Sequence, residues 1–185
     1  MSHVRCFWCN LKNPAYIEYH DREWGVPVRD DSKLFELLVL ESFQAGLSWE
    51  TILNKRENFR QAFDNFDPQK ISQYGEDKIT LLLSDAGIVR SRRKIEAAIR
   101  NSNVFMRIQE EWAGFHRYIW HFTDGKTVYE VGRTCSALSD QISADLKKQG
   151  MTFVGTTIIY SYLQAIGIIY SHDENCFLYQ ENPSG

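Results

Sequence analysis

The strongest constraint on the fold is a chain-long succession of short helical segments, opened by capping residues and closed by glycines, with one brief stretch that reads as extended. Asp31 and Ser32 are candidate N-caps for a helix over 32–44, where Leu34, Leu37, Leu38, Glu41 and Ala45 recur at the three-and-four spacing of one face. A carboxylate thus interrupts an apolar stripe. Ala45-Gly46-Leu47-Ser48 ends that helix, and Ser48 caps a second running from Trp49 to about Phe63. Asp67-Pro68 is a cap followed by proline at the first helical position, and helices are predicted over 76–85, 90–101, 103–112 and 114–122. Asp124-Gly125 is a turn, and 126–131 is a short extended piece or loop. Helical pattern returns over 139–149, stops at Gly150, and resumes from Gly155 to about Ile166 before Gly167. An all-α fold follows, organised as a single unit over 1–185 of one lobe or two closely packed lobes. The 43% hydrophobic and 14% aromatic content is enough for a sizeable core.

Neither the first ten residues nor any later run has the apolar length of a signal or membrane-spanning segment, so the expectation is a soluble, cytoplasmic protein, and a monomer is expected as well. In that setting the cysteines at 6, 9, 135 and 176 are free thiols or metal ligands rather than disulfides. A formal charge of −3 argues against broad nucleic-acid coating but leaves room for a local basic face, for which Arg90, Arg92, Arg93, Lys94 and the pair Lys147, Lys148 are candidates. Taken alone, either cluster reads first as a solvated helix face.

His172 and Cys176, four apart, can aim ligand atoms at one point, and Cys6 with His20 can complete a tetrahedral set. Such a closed Cys2His2 site would be structural and would clamp the two chain ends. Cys6-x-x-Cys9 also has ligand-pair spacing, which leaves Cys9 as an alternative to His20, while Cys135 reads as a small packing residue. Trp8, Tyr16, Tyr19, Trp24 and Trp49 crowd a short length of sequence. Core packing explains any one of them, but with Glu41 they can form a box for a flat cationic base, the rings attracting positive charge and the carboxylate pairing with N–H groups. A buried arginine or amide is the competing partner for Glu41. The turn from Gly150 to Thr157 joins a basic helix end to an apolar helix. It leaves backbone N–H groups free to meet an anion, although ordinary capping accounts for it as well.

Taken in order, several strings become specific: Tyr16-Ile-Glu-Tyr19-His20-Asp-Arg-Glu-Trp24-Gly25-Val-Pro27, then Leu40-Glu41-x-x-Gln44-Ala45-Gly46-Leu47-Ser48-Trp49, Lys55-Arg56-Glu57-Asn58, Asp85-Ala86-Gly87-Ile88-Val-Arg90 and Phe153-Val154-Gly155-Thr156-Thr157. Together they resemble the 3-methyladenine DNA glycosylase I family from Cys6 to Cys176. The resemblance implies a helix-hairpin-helix glycosylase fold with a structural zinc ion, Zn2+, joining the terminal segments through Cys6, His20, His172 and Cys176. It implies a base pocket of Glu41, Tyr19 and Trp49, with Trp8, Tyr16 and Trp24 beside it. Gly46 and Leu47 match the segment that fills the gap left by an extruded nucleotide, and Val154, Gly155, Thr156 and Thr157 match the DNA-binding hairpin. Two departures stand out: one additional residue between Cys6 and His20, and Phe43 where the family carries glutamine, a change expected to alter the DNA contact surface.

The implied activity is hydrolysis of the N-glycosidic bond of 3-methyladenine in double-stranded alkylated DNA, releasing the free base. Methylation at N3 makes the base cationic, so it departs neutral without protonation. Glu41 is the candidate catalytic group by recognition and electrostatics, and with no lysine placed as a nucleophile a monofunctional enzyme is expected. The alternatives are a non-catalytic damaged-DNA-binding protein with the same hairpin, and a zinc hydrolase, which four protein ligands disfavour.

Overall fold

The computed structural model describes residues 3–180. Among the described residues ten α-helices carry the architecture, α1 (Pro14–Arg22), α2 (Asp31–Gln44), α3 (Trp49–Asn54), α4 (Arg56–Ala62), α5 (Pro68–Ile71), α6 (Glu76–Ser84), α7 (Arg92–Trp112), α8 (Phe115–His121), α9 (Ala137–Gln149) and α10 (Thr156–Ala165), with one 3-10 turn at Asp64–Phe66. The extended piece foreseen near 126–131 becomes β1 (Val128–Tyr129), which pairs in parallel with β2 (Ile169–Tyr170). α2 is the central helix: Leu34, Phe35, Leu37, Leu38, Val39, Leu40 and Phe43 are all buried, and it packs against α3, α7, α8 and α10. A helix buried on nearly every side has to be apolar all round, which makes a carboxylate at Glu41 the more conspicuous.

The local capping signals work as expected at several ends. The Ser48 hydroxyl accepts from the Thr51 N–H, the Asp67 carboxylate from Gln69 and Lys70, and Gly150 ends α9 at φ 106°. Asp31 and Ser32 do not cap α2. Asp30 does so by accepting from the Lys33 N–H at 2.8 Å. The Asp31 carboxylate instead accepts from the Phe115 and His116 N–H groups and from Gln109, capping α8 from a distant part of the chain.

Two helix boundaries differ from the sequence expectation. The segment expected as one helix from Trp49 divides at Lys55, which ends α3 and sends its Nζ to the Ala86 carbonyl at 2.9 Å. The change of direction aims Arg56 at Glu23 and Glu36, where it forms a buried ion-pair network. The segments expected as separate helices on either side of residue 102 are one 21-residue helix. Its polar run is satisfied in place. Ser102 and Asn103 donate to the Ile99 carbonyl, and Asn101 exchanges two bonds with the Thr152 backbone.

Near the end of the chain, Gly167 at φ 72° lets α10 finish against the segment after α1. A Cβ there would come within 2.4 Å of the Val26 and Pro27 backbone. The Gly25 N–H donates to the Gln164 carbonyl and Val28 to Ile166, so the N-terminal segment is tied beside the last helix. No helix among the described residues is long and apolar enough to cross a membrane.

Candidate active site

α1 and the segment after β2 converge on one buried group of ligand atoms. Cys6 Sγ lies 3.4 Å from His172 Nδ1, and Cys176 Sγ lies 3.5 Å from both His172 Nδ1 and His20 Nε2. All four ligand atoms fall within 4.8 Å of one another, and all four residues are buried. Zinc–sulfur and zinc–nitrogen bonds of about 2.3 and 2.05 Å around a tetrahedral centre place N and S roughly 3.5 Å apart. The observed edges therefore fit a single ion. His20 Nδ1 contacts the Asp21 carboxylate at 2.7 Å, leaving Nε2 to face the centre, and Arg5 in turn grips Asp21 and holds its carboxyl below the usual range. Burial and the neighbouring His20 lower the His172 imidazole to about 4, which keeps it neutral, and burial raises the Cys6 thiol. Cys9 stands outside the group. Its thiol donates to the Tyr16 carbonyl at 3.8 Å, so the structure brings His20, not Cys9, to the other three residues.

The same histidines support an aromatic wall. Trp24 meets His172 edge-on at 4.7 Å, Trp8 lies 5.2 Å from His20 and 4.7 Å from Trp24, and Tyr16 lies 5.4 Å from Trp8. Tyr19 and Trp49 form a second pair at 5.2 Å. Trp8, Tyr16, Tyr19, Trp24 and Trp49 enclose an open cavity of about 310 Å3 together with Glu41 and Gln44. Every residue expected in the base pocket is therefore at this one place.

Glu41 is 2% exposed, and one of its carboxylate oxygens has no hydrogen-bond partner; the buried Trp49 indole N–H is equally without one. Burial alone raises the Glu41 carboxyl to about 8. The competing reading, in which a buried arginine or amide serves Glu41, does not hold among the described residues: the Glu41 oxygen has no such partner, burial is the only influence on its proton, and Arg56 pairs with Glu23 and Glu36 instead. Glu41 and Trp49, both lining the aromatic cavity, thus carry an unpartnered acceptor and an unpartnered donor.

Between Gln44 and Trp49, which both line the cavity, Gly46 turns the chain at φ 79° and Leu47 presents an apolar side chain that is 41% exposed. The turn between α9 and α10 ends at Gly155, where an added Cβ would meet nothing within 4 Å. Thr157 is exposed and Thr156 shares a 2.8 Å hydrogen bond with Ser139. Val154 is fully buried and its carbonyl accepts from Ser143, so no side chain is offered at that position. Phe43 corrects a further expectation: it is fully buried against Phe59 and Phe63 and contributes nothing to an outer contact surface. The basic cluster is partly consumed by the fold, since Lys94 donates to the Phe43 and Ala45 carbonyls at the end of α2 and Arg92 pairs with Glu76.

Sequence reasoning missed several residues that line the cavity: Ser161 and Gln164 on α10, Ser171 and Asp173 after β2, and Gly132, Arg133 and Thr134 in the loop before α9. Helical spacing puts Ser161 and Gln164 on one face of α10, three apart, and that was the only signal available.

Residues 8–179 match the family model described as methyladenine glycosylase. The chain belongs to the methyladenine glycosylase family. This methyladenine glycosylase is 44% identical to DNA-3-methyladenine glycosylase 1 of Escherichia coli K12, covering 96% of this chain and 98% of the relative. A crystal structure of 3-methyladenine DNA glycosylase I superposes with a TM-score of 0.91 at 42% identity over 96% of this chain and all of the other. A variant of 3-methyladenine DNA glycosylase I in complex with 3-methyladenine gives 0.88 at 34% identity, over 92% and 96% of the respective chains. The helical architecture is thus that of a glycosylase family, one solved member of which is in complex with 3-methyladenine.

Proposed function

We propose that this methyladenine glycosylase hydrolyses the N-glycosidic bond of 3-methyladenine in double-stranded alkylated DNA, acting as a monomer and as one unit over 1–185 in the cytoplasm. The observation that carries the reading is Glu41, a buried carboxyl with an unpartnered oxygen inside an aromatic cavity. A flat cationic base satisfies both features at once, through ring faces that attract positive charge and a carboxylate that pairs with its N–H edge. Ordinary adenine lacks the cation, so it gains less from the same walls.

In this reading the nucleotide is extruded from the duplex and its base enters between the Tyr19–Trp49 pair and the wall of Trp8, Tyr16 and Trp24. Glu41 releases its proton to bulk water as the cation arrives, and the resulting ion pair holds the base. The Trp49 indole N–H donates to it. Bond breaking places positive charge on the sugar and leaves a neutral base, so no general acid is required; water then adds at C1′ and its proton passes to bulk water. No lysine lines the cavity among the described residues, in keeping with a monofunctional reaction. Leu47 fills the space vacated in the duplex, while the α9–α10 hairpin meets backbone phosphates through its N–H groups at Gly155, Thr156 and Thr157, with Val154 supplying the buried anchor.

Zinc fits Cys6, His20, His172 and Cys176 by donor type, distance and burial. It would supply no reaction chemistry, since four protein ligands complete its shell. By fixing His20 and His172, these ligands also set the angles of Trp8 and Trp24 in the pocket wall.

Chromatography of methylated duplex DNA after incubation tests the function: free 3-methyladenine appears and the strands stay uncut until the abasic sites are cleaved chemically. Tight binding of methylated duplex with no base release would instead identify a damage-binding protein.

A further inference from the structure

The loop Val131–Cys135 is exposed along its whole length, yet it is pinned at both ends. The Glu130 N–H donates to Tyr170, the Ser171 hydroxyl bonds to the Glu130 carbonyl, and Ser136 caps α9. Arg133 sits in the middle of this bridge and lines the cavity that holds Glu41. No carboxylate lies within 4 Å of its guanidinium among the described residues, although Asp173 lines the same cavity. The Asp173 carboxylate is engaged by the Phe7 N–H at 2.9 Å.

A free cation at the rim is out of place in a pocket for a cationic base. It would repel both the bound base and the positive charge that develops on the sugar, unless an anion stands between them. Catalysis in this pocket leans on negative charge, so Arg133 cannot serve the base. The same chain continues from Arg133 into α9 and the hairpin, so the loop spans the ground between the cavity and the phosphate-binding turn.

We propose that Arg133 is the phosphate contact of the extruded nucleotide itself, pairing with a phosphodiester that flanks the flipped sugar at the mouth of the cavity. This extends the glycosylase reading and rests on it. The guanidinium neutralises that phosphate, holds the nucleotide out of the duplex, and is screened from the base by the charge it binds. Arg133 is thus a positioning residue with specificity for a nucleotide in DNA over the free base.

The test compares wild type, Arg133→Ala and Arg133→Lys in two assays: release of 3-methyladenine from methylated duplex across a salt series, and binding of free 3-methyladenine by titration. For Arg133→Ala the expected result is a fall of about tenfold or more in kcat/KM on duplex, the size of one lost charge-assisted hydrogen bond. The slope of log kcat/KM against log salt should become shallower by about 0.9, one phosphate contact fewer. Free-base binding should stay within twofold of wild type, and Arg133→Lys should recover the slope. Unchanged kcat/KM on duplex, an unchanged salt slope, or an equal loss in both assays overturns the proposal. A wild-type protein that neither releases nor binds the base overturns the glycosylase reading instead.

Discussion

Replacing Glu41 by glutamine isolates the effect of burying one carboxyl. Burial holds its pKa at about 8 in the folded protein, against 4.5 for an ordinary glutamate. Between these values the unfolded chain releases the proton while the native state keeps it. Stability therefore falls as pH rises from about 4.5 and levels off above about 8. The difference between the two pKa values corresponds to roughly 5 kcal/mol at most, since one unit is about 1.4 kcal/mol. For a chain of this length that is a shift of roughly 10–20 °C in Tm. Glutamine keeps the shape and cannot ionise, so the Tm gap between Glu41→Gln and wild type should widen from pH 5 to pH 8. Other carboxyls, such as Asp21, Glu23 and Glu36, have lowered pKa values and act equally in both proteins. The functional side has the opposite sign. If the ionised carboxylate receives the cationic base, wild-type kcat/KM on methylated duplex should rise with pH to a plateau above about 8. Glu41→Gln should be slower at the plateau and lack that limb, while duplex binding stays nearly intact. Thermal unfolding and initial rates across pH 5–9 supply both readouts. A Tm gap that stays constant with pH, or identical rate profiles, would refute the account of Glu41.

Metal analysis should find about one zinc per chain, and stripping it with a chelator should lower Tm by on the order of 10 °C together with the tryptophan signal of the pocket wall; loss of turnover with an unchanged Tm would return the ion to catalysis. Phe43→Ala should lower stability by about 3–5 kcal/mol in denaturant unfolding because it empties a fully buried ring site, and should leave the salt dependence of DNA binding unchanged. Leu47→Ala should reduce excision from duplex by about tenfold with free-base binding intact, as expected when an exposed apolar wedge supports extrusion; equal effects on both would place Leu47 in the pocket instead.

Much of this protein is written in short-range patterns. Ser48, Asp67 and Gly150 act within one helical turn, so their caps and stops could be read without any knowledge of the rest of the chain. The family resemblance that the motif strings carry likewise pointed to the six expected pocket residues and the four metal-type ligands. Where local pattern and structure part, a distant partner is the reason. Asp31 left its expected cap to serve α8, and the polar run at Asn101–Asn103 stayed helical because Thr152 receives Asn101. Phe43 and Val154 sit on strings associated with DNA, yet they point into the core.

The sequence by itself determined the helical class, the family and the aromatic residues and Glu41 that gather at the cavity, because these depend on residue type and spacing over a few turns. Only the tertiary structure decided between His20 and Cys9. Four ligand atoms drawn from residues up to 170 positions apart must meet at tetrahedral distances, and spacing within one segment cannot measure that. It also joined the metal group to the pocket wall through His20 and His172, and it brought Arg133 to the rim of the cavity. Whether Glu41 is solvated or buried was likewise a tertiary matter, since the desolvation that shifts its proton is supplied by neighbours on other helices.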